Sequence, residues 1–189
     1  MKIRFWLVAG CLVLTSVRAG MSQTPPAPSH PAPTTQTAQI DCTWLTVDTT
    51  TRTATFQLIA GLTGLNGALN FNGFKDGGLT FAVPLNWNVV INFRNHDGML
   101  PHSAEVIDST KPVSAGPVDP AFPRAMTVRL AQGLGPEEQD GFRFVANKAG
   151  SYWIFCGVPG HGLAGMWIRF KVSPTEKRPT LAVSPAAGG

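Results

Sequence analysis

Short strand-like runs recur along the chain between residues 40 and 173, and in the clearest of them apolar and polar residues nearly alternate with a period of two. Thr53-Ala-Thr-Phe-Gln-Leu-Ile59 is the clearest stretch. A period of two puts every second side chain on one face, so such a run predicts a strand with one face buried. Further strand-like runs follow at Leu79–Val83, Trp87–Phe93, Ala104–Ile107, Met126–Leu130, Phe142–Val145, Ser151–Phe155 and Met166–Val172. Asp41-Cys-Thr-Trp-Leu-Thr-Val47 reads as a further strand, which would bury Cys42 as a structural thiol. Gly, Pro and Asn punctuate the spaces between these runs. No segment sustains the period of about 3.6 that marks a long helix. Short, regularly spaced strands with turn residues between them predict an all-β Greek-key sandwich. Ser109–Arg124 is Pro-rich and reads as a long surface excursion. Gly133–Asp140 reads as a turn or a short helical piece.

The ends have a different pattern. Met1-Lys-Ile-Arg4 is basic, Phe5–Val17 is mostly apolar over thirteen residues, and Val17-Arg-Ala19 has small residues where a signal peptidase reads. Thirteen residues are too few to cross ~30 Å of hydrocarbon, so 1–19 is expected to be a secretory signal peptide. Val8-Ala-Gly-Cys11 also resembles a lipobox, although the residues after Cys11 are still apolar. Residues 20–39 are rich in Pro, Thr, Ser, Ala and Gln and form an expected disordered linker that includes His30. Residues 40–173 make one domain of ordinary size. Residues 174–189 are expected to be a flexible tail. An exported, periplasmic or cell-envelope location follows from this layout.

The signal segment accounts for part of the basic charge. Without Lys2, Arg4 and Arg18, fifteen basic residues become twelve against eleven acidic ones, and the formal charge falls from +4 to +1. With no Lys/Arg cluster and no basic helix, nucleic-acid binding is set aside.

The segment Cys156-Gly-Val-Pro-Gly-His161-Gly-Leu-Ala-Gly-Met166-Trp167 carries the chemistry. A lone Cys or Met usually fills a core, and a lone His is often a surface group. Here five of the twelve residues from Cys156 to Trp167 are Gly or Pro, so the thiol, imidazole and thioether lie on a loop between two strands. Soft sulfur with imidazole is a copper donor set, and a blue-copper site takes two His, one Cys and a weak axial Met. The loop supplies three of these four. The other His is expected to be His102, in Pro101-His-Ser103, where Pro101 stiffens the approach and an apolar strand follows. His96 competes with it, but Asn95-His-Asp-Gly98 reads as a polar turn that His96 caps. Cys156, His161, Met166 and His102 are thus the candidate ligands of one type 1 copper.

Other chemistries fit less well. Zinc sites favour Cys and His without Met, often with paired Cys. Iron–sulfur clusters need about four Cys, and the chain has three. A dinuclear copper centre needs two Cys in the loop. A protease-like Cys/His pair leaves Met166 and the glycines unexplained. A copper enzyme with a second metal site needs a further His cluster, and only four His occur. A copper storage or delivery protein of the envelope is the alternative to an electron carrier.

Four stretches resemble the sulfocyanin family of the cupredoxin superfamily: Leu69-Asn-Phe-Asn-Gly-Phe74, Val83-Pro-Leu-Asn-Trp-Asn-Val89, Leu100-Pro-His-Ser-Ala-Glu-Val106 and Cys156–Trp167. The resemblance implies a cupredoxin-like blue-copper sandwich. It implies the ligands His102, Cys156, His161 and axial Met166, and no enzymatic step. It further implies a monomeric carrier shuttling single electrons in a respiratory chain, with a c-type cytochrome or terminal oxidase as partner.

Overall fold

The computed structural model describes residues 39–109 and 113–185. The expected signal peptide (1–19), and all of the expected linker except Gln39, lie outside the described residues. Cys11 and His30 lie there too.

Nine strands occur among the described residues: β1 (Leu45–Asp48), β2 (Thr53–Ala60), β3 (Leu79–Pro84), β4 (Asn88–Asn95), β5 (Glu105–Asp108), β6 (Gln139–Val145), β7 (Gly150–Phe155), β8 (Trp167–Ser173) and β9 (Thr180–Val183). They form two sheets, ordered β1-β2-β4-β6 and β5-β7-β8-β3-β9. The alternation read from the sequence is the cause. In β2, Ala54, Phe56, Leu58 and Ala60 are fully buried while their neighbours are half-exposed. In β4, Val89, Ile91, Phe93 and Asn95 point inward while Asn88, Asn92 and Arg94 face out.

Both sheets contribute to one core. Its centre is aromatic: Phe56 meets Phe81 with ring centroids 4.9 Å apart, and Phe81 meets Phe170 at 5.5 Å. Phe122 stacks on Phe144 at 4.9 Å and tilts against Tyr152 at 4.8 Å. Burying each such ring stabilises the fold by on the order of 2 kcal/mol. Phe122 comes from the Ser109–Arg124 excursion, so that segment is anchored in the core. A second cluster of Ile107, Trp153, Phe155 and Trp167, with Val113 packed against it, covers the opposite face of the β5-β7-β8 region.

Three expectations are corrected. Cys42 is exposed, because Cys42–Trp44 is a short 3₁₀ turn rather than strand. Asp41 caps this turn by accepting the Thr43 amide at 2.8 Å, and Trp44 is the residue that turns inward. Met126–Leu130 is not a strand: only Met126 bridges to Glu105. Arg129 has φ of 54°, which breaks the extended backbone, and Val128 faces solvent. The 174–189 segment is not loose throughout, since Thr180–Val183 pairs antiparallel with Leu79–Ala82 of β3. That pairing satisfies main-chain groups which β3 would otherwise leave at a sheet edge. Among the described residues no helix is long and apolar enough to cross a membrane.

Candidate metal centre

β7 and β8 run antiparallel, with Phe155 opposite Trp167 at the last pair. The segment between them therefore begins and ends at one place. The Cys156 amide donates to the Met166 carbonyl at 3.1 Å, and the Met166 amide donates to the His161 carbonyl at 3.0 Å. Two internal turns tighten the loop, from Ala164 N to Gly160 O at 3.0 Å and from Gly165 N to Gly162 O at 2.9 Å. Glycine is required at two of its positions. A Cβ on Gly162 would overlap the Phe155 ring, and Gly165 has φ of 91° with the Asp76 carboxylate directly against it.

His102 reaches the same pole from the other side. It lies between β4 and β5 and exchanges main-chain bonds with Leu134: His102 N to Leu134 O at 3.0 Å and Leu134 N to His102 O at 2.7 Å. Gly133, at φ of 74°, lets the two segments approach, because a Cβ there would lie 2.8 Å from His102 N.

The result is a compact donor group. Cys156 Sγ and one ring nitrogen each of His102 and His161 all lie within 4.8 Å of one another. The His161 Nδ1 is 3.6 Å from the Cys156 sulfur, and the two imidazoles have centroids 5.1 Å apart. Met166 is fully buried, and its main chain is bonded to those of Cys156 and His161. The structure therefore gathers His102, Cys156 and His161 and places Met166 at the same end of the sandwich. His96 is excluded: it is nearly half exposed and its Nδ1 faces Glu137 at 3.4 Å.

The surroundings show what this group suits. Burial pushes the Cys156 thiol up to about 11, so without a metal it is neutral. Burial, reinforced by the nearby His102, holds His161 down at about 4. Burial also lowers His102, against the opposing pull of Asp97. Neutral imidazoles are the metal-binding form, and a metal would displace the thiol proton. One ring nitrogen of His102, Nε2, lies 3.0 Å from Asp97 Oδ2. The other, Nδ1, is buried and has no hydrogen-bond partner among the described residues. A buried bare nitrogen is costly unless something coordinates it. Two imidazoles, one thiolate and a buried thioether fit a copper ion better than zinc or a hard cation.

Three supporting residues were not legible as such in the sequence. Ser103 brackets the thiol. Its amide points at Cys156 Sγ (3.5 Å), and its hydroxyl accepts the Gly157 amide (3.1 Å) and donates to the Leu130 carbonyl (2.8 Å). Asp97 holds His102. Glu105 is fully buried below the loop. Its Oε1 accepts the Val118 amide at 3.3 Å, and Oε2 has no partner among the described residues. Burial, with a smaller contribution from Asp119, pushes the Glu105 carboxyl up to about 7. A polar residue directly after a candidate ligand, as Ser103 follows His102, was the one available cue. Asp97 and Glu105 act on groups that only folding brings near.

The sandwich thus carries at one pole a buried Cys–His–His group that could hold a metal ion. The sequence matches the Sulfocyanin (SoxE) domain over residues 41–123 and 131–182, and the chain belongs to that family. It is 26% identical over 106 residues to a sulfocyanin of Sulfolobus acidocaldarius, an alignment spanning 52% of each protein. The chain thus spans about half the length of that curated relative. Among solved structures it is similar to rusticyanin from Thiobacillus ferrooxidans, with 23% identity, a TM-score of 0.49, and coverage of 69% of this chain and 88% of that one. It is also similar to dithionite-reduced auracyanin from Roseiflexus castenholzii, with 23% identity, a TM-score of 0.46, and coverage of 64% and 97% respectively.

The buried acid makes a prediction for the metal-free protein. The Glu105 carboxyl titrates near 4.5 when unfolded and near 7 when folded. Between those values the unfolded chain has lost a proton that the folded chain keeps. This contribution to stability is therefore present below 4.5 and is lost as pH rises to about 7. Denaturant unfolding of the apoprotein across that range should show the fall, and Glu105→Gln should flatten it. Identical slopes in the two proteins would show that Glu105 ionises normally.

Proposed function

We propose that this protein is a mononuclear type 1 blue-copper electron carrier, in which His102, Cys156 and His161 would hold the copper, with Met166 as a weaker donor. The observation that carries this reading is the buried His102–Cys156–His161 group with its unpartnered imidazole nitrogen. Bound copper supplies the one-electron couple. The chain's part is to hold soft and imidazole donors in one geometry that serves both oxidation states, so that little rearranges on electron transfer. Rigidity of this kind is what the closed loop, its glycines and the Ser103 bonds provide. Met166, a poor donor to Cu(II), raises the potential. Phe155, which packs against Gly162 of the loop, would help to exclude water and act in the same direction. A storage or delivery role is less well supported, because the sulfurs of Cys156 and Met166 lie on fully buried residues.

The ligand assignment is tested by two variants. Cys156→Ser should bind copper without the intense blue absorption. Met166→Gln should keep the colour, since it leaves the thiolate in place, but should lower the reduction potential by offering a harder oxygen donor. A blue Cys156→Ser protein, or a potential unchanged in Met166→Gln, would overturn the respective assignment.

Electrons would leave through the His161 end. Leu163, two residues from the imidazole, is 59% exposed. Weak redox encounters use small surfaces, and an apolar patch allows close approach. The partner would be a c-type cytochrome or a terminal oxidase, with the protein acting as a monomeric shuttle between respiratory components. Stopped-flow mixing of reduced protein with an oxidised cytochrome c should show slower electron transfer for Leu163→Asp, with spectrum and potential nearly unchanged. An unaltered rate would move the docking face elsewhere.

Export to the periplasm or cell envelope completes this reading, supported by the basic-then-apolar composition of residues 1–19. N-terminal sequencing of protein from the envelope should find a start close to Gly20. Retention of Phe5–Val17, or a lipid on Cys11, would replace the shuttle with an anchored carrier.

A further inference from the structure

Asp97 is a carboxylate with little freedom. Its Oδ1 accepts the amides of Met99 at 2.8 Å and Leu100 at 3.2 Å. Its own amide donates to Asn95 Oδ1 at 2.9 Å. The Asn95 side-chain amide in turn donates to the carbonyls of Leu100 (2.8 Å) and Leu134 (2.9 Å). Behind it, Gly61 packs so closely that a Cβ there would lie 2.7 Å from the Asp97 Cβ. The remaining oxygen, Oδ2, is 3.0 Å from His102 Nε2, with both side chains buried. With Oδ1 taken by two main-chain amides, Oδ2 is the oxygen left to accept from the imidazole. Among the described residues, no Lys or Arg is paired with Asp97.

An ionised carboxylate can only accept a hydrogen bond. Nε2 must therefore carry the imidazole proton, and Nδ1, the buried nitrogen without a partner, must carry the lone pair. The main chain does not impose this choice, since His102 belongs to no regular strand and its bridge to Leu134 fixes the backbone only. A buried negative charge one imidazole away from a metal also favours the more positive oxidation state.

We propose that Asp97 is a positioning residue of the metal centre that fixes the donor tautomer of His102 and, by its charge, lowers the reduction potential in opposition to Met166. This rests on the type 1 copper reading given above. The bland alternative is that Asp97 only shapes the 95–101 turn through the Met99 and Leu100 amides.

Two variants of the full chain separate charge from hydrogen bonding. In Asp97→Asn the side-chain oxygen can still accept from Nε2 while the charge is gone. In Asp97→Ala both are lost. Nitrogen-15 NMR of the metal-free wild-type protein should show the His102 proton on Nε2 alone. Asp97→Asn should keep that tautomer and the blue band, yet titrate at a higher potential. Asp97→Ala should show mixed tautomers when metal-free and bind copper roughly 10- to 100-fold more weakly. A wild-type proton on Nδ1, or an unchanged potential in Asp97→Asn, would overturn the proposal. The wild-type tautomer measurement stands even if a variant fails to fold. It also needs no metal, so it fails separately from the copper reading, which a wild-type copper complex without the blue band would sink.

Discussion

The antiparallel pairing of β7 with β8 is the interaction on which the metal centre depends. Its last pair, Phe155 with Trp167, leaves Cys156 and Met166 as the first residues beyond the ladder on each side. They must then lie together, and the Cys156 amide bonds to the Met166 carbonyl as a continuation of the pairing. A sheet edge thus converts separation along the chain into contact in space. The same ladder is stabilised by the burial of Tyr152, Ile154, Ile168 and Phe170 in the core. Ligand geometry is in this sense a by-product of hydrophobic packing a few residues away.

The loop itself would still be free to deform without bracing from outside, and three segments brace it. Asn66 donates to the Ala164 carbonyl at 2.6 Å. Asp76 and Gly77 donate main-chain bonds to Gly165 and Trp167 at 2.8 and 3.0 Å. Gly160 donates to Ala115 at 2.8 Å, tying in the long excursion. The Asn66 brace depends on a buried asparagine network. Asn70 donates to the carbonyls of Thr63 and Leu65, and Asn72 accepts the Ile59 amide while donating to Gln57. These asparagines supply hydrogen bonds to main chain that has no strand partner, which is how an irregular segment can be buried at all. The Asn-rich stretch that resembles the sulfocyanin family is therefore a structural device, and it serves the ligand loop from the side.

Burial does a second kind of work at the centre. It keeps the thiol and both imidazoles neutral in the metal-free protein and raises Glu105 into the neutral range. Asp97 is shifted the other way, below the ordinary carboxylate range, because His102 and main-chain amides surround it with donors. One fixed charge among groups held neutral has a larger influence on a metal than it would in water.

By itself the sequence determined the sandwich and pointed to most of the candidate donor group, because both are local patterns. A period of two marks a strand wherever it occurs, and a thiol, imidazole and thioether on one Gly/Pro-rich loop stay close however the rest folds. His102 was separable from His96 for a local reason as well, namely Pro101 before it and the apolar run after it. Tertiary structure decided the rest. The alternating run at Cys42 became a capped turn, and Arg129 broke the extended run at Met126–Leu130. Thr180–Val183 became a strand only because β3 offered it an edge. Asp97, Ser103 and Glu105 look like ordinary polar residues along the chain. What each does depends on a partner supplied by folding, whether the His102 ring, the Cys156 sulfur or an enclosing wall of core, and that proximity has no signature in the order of residues.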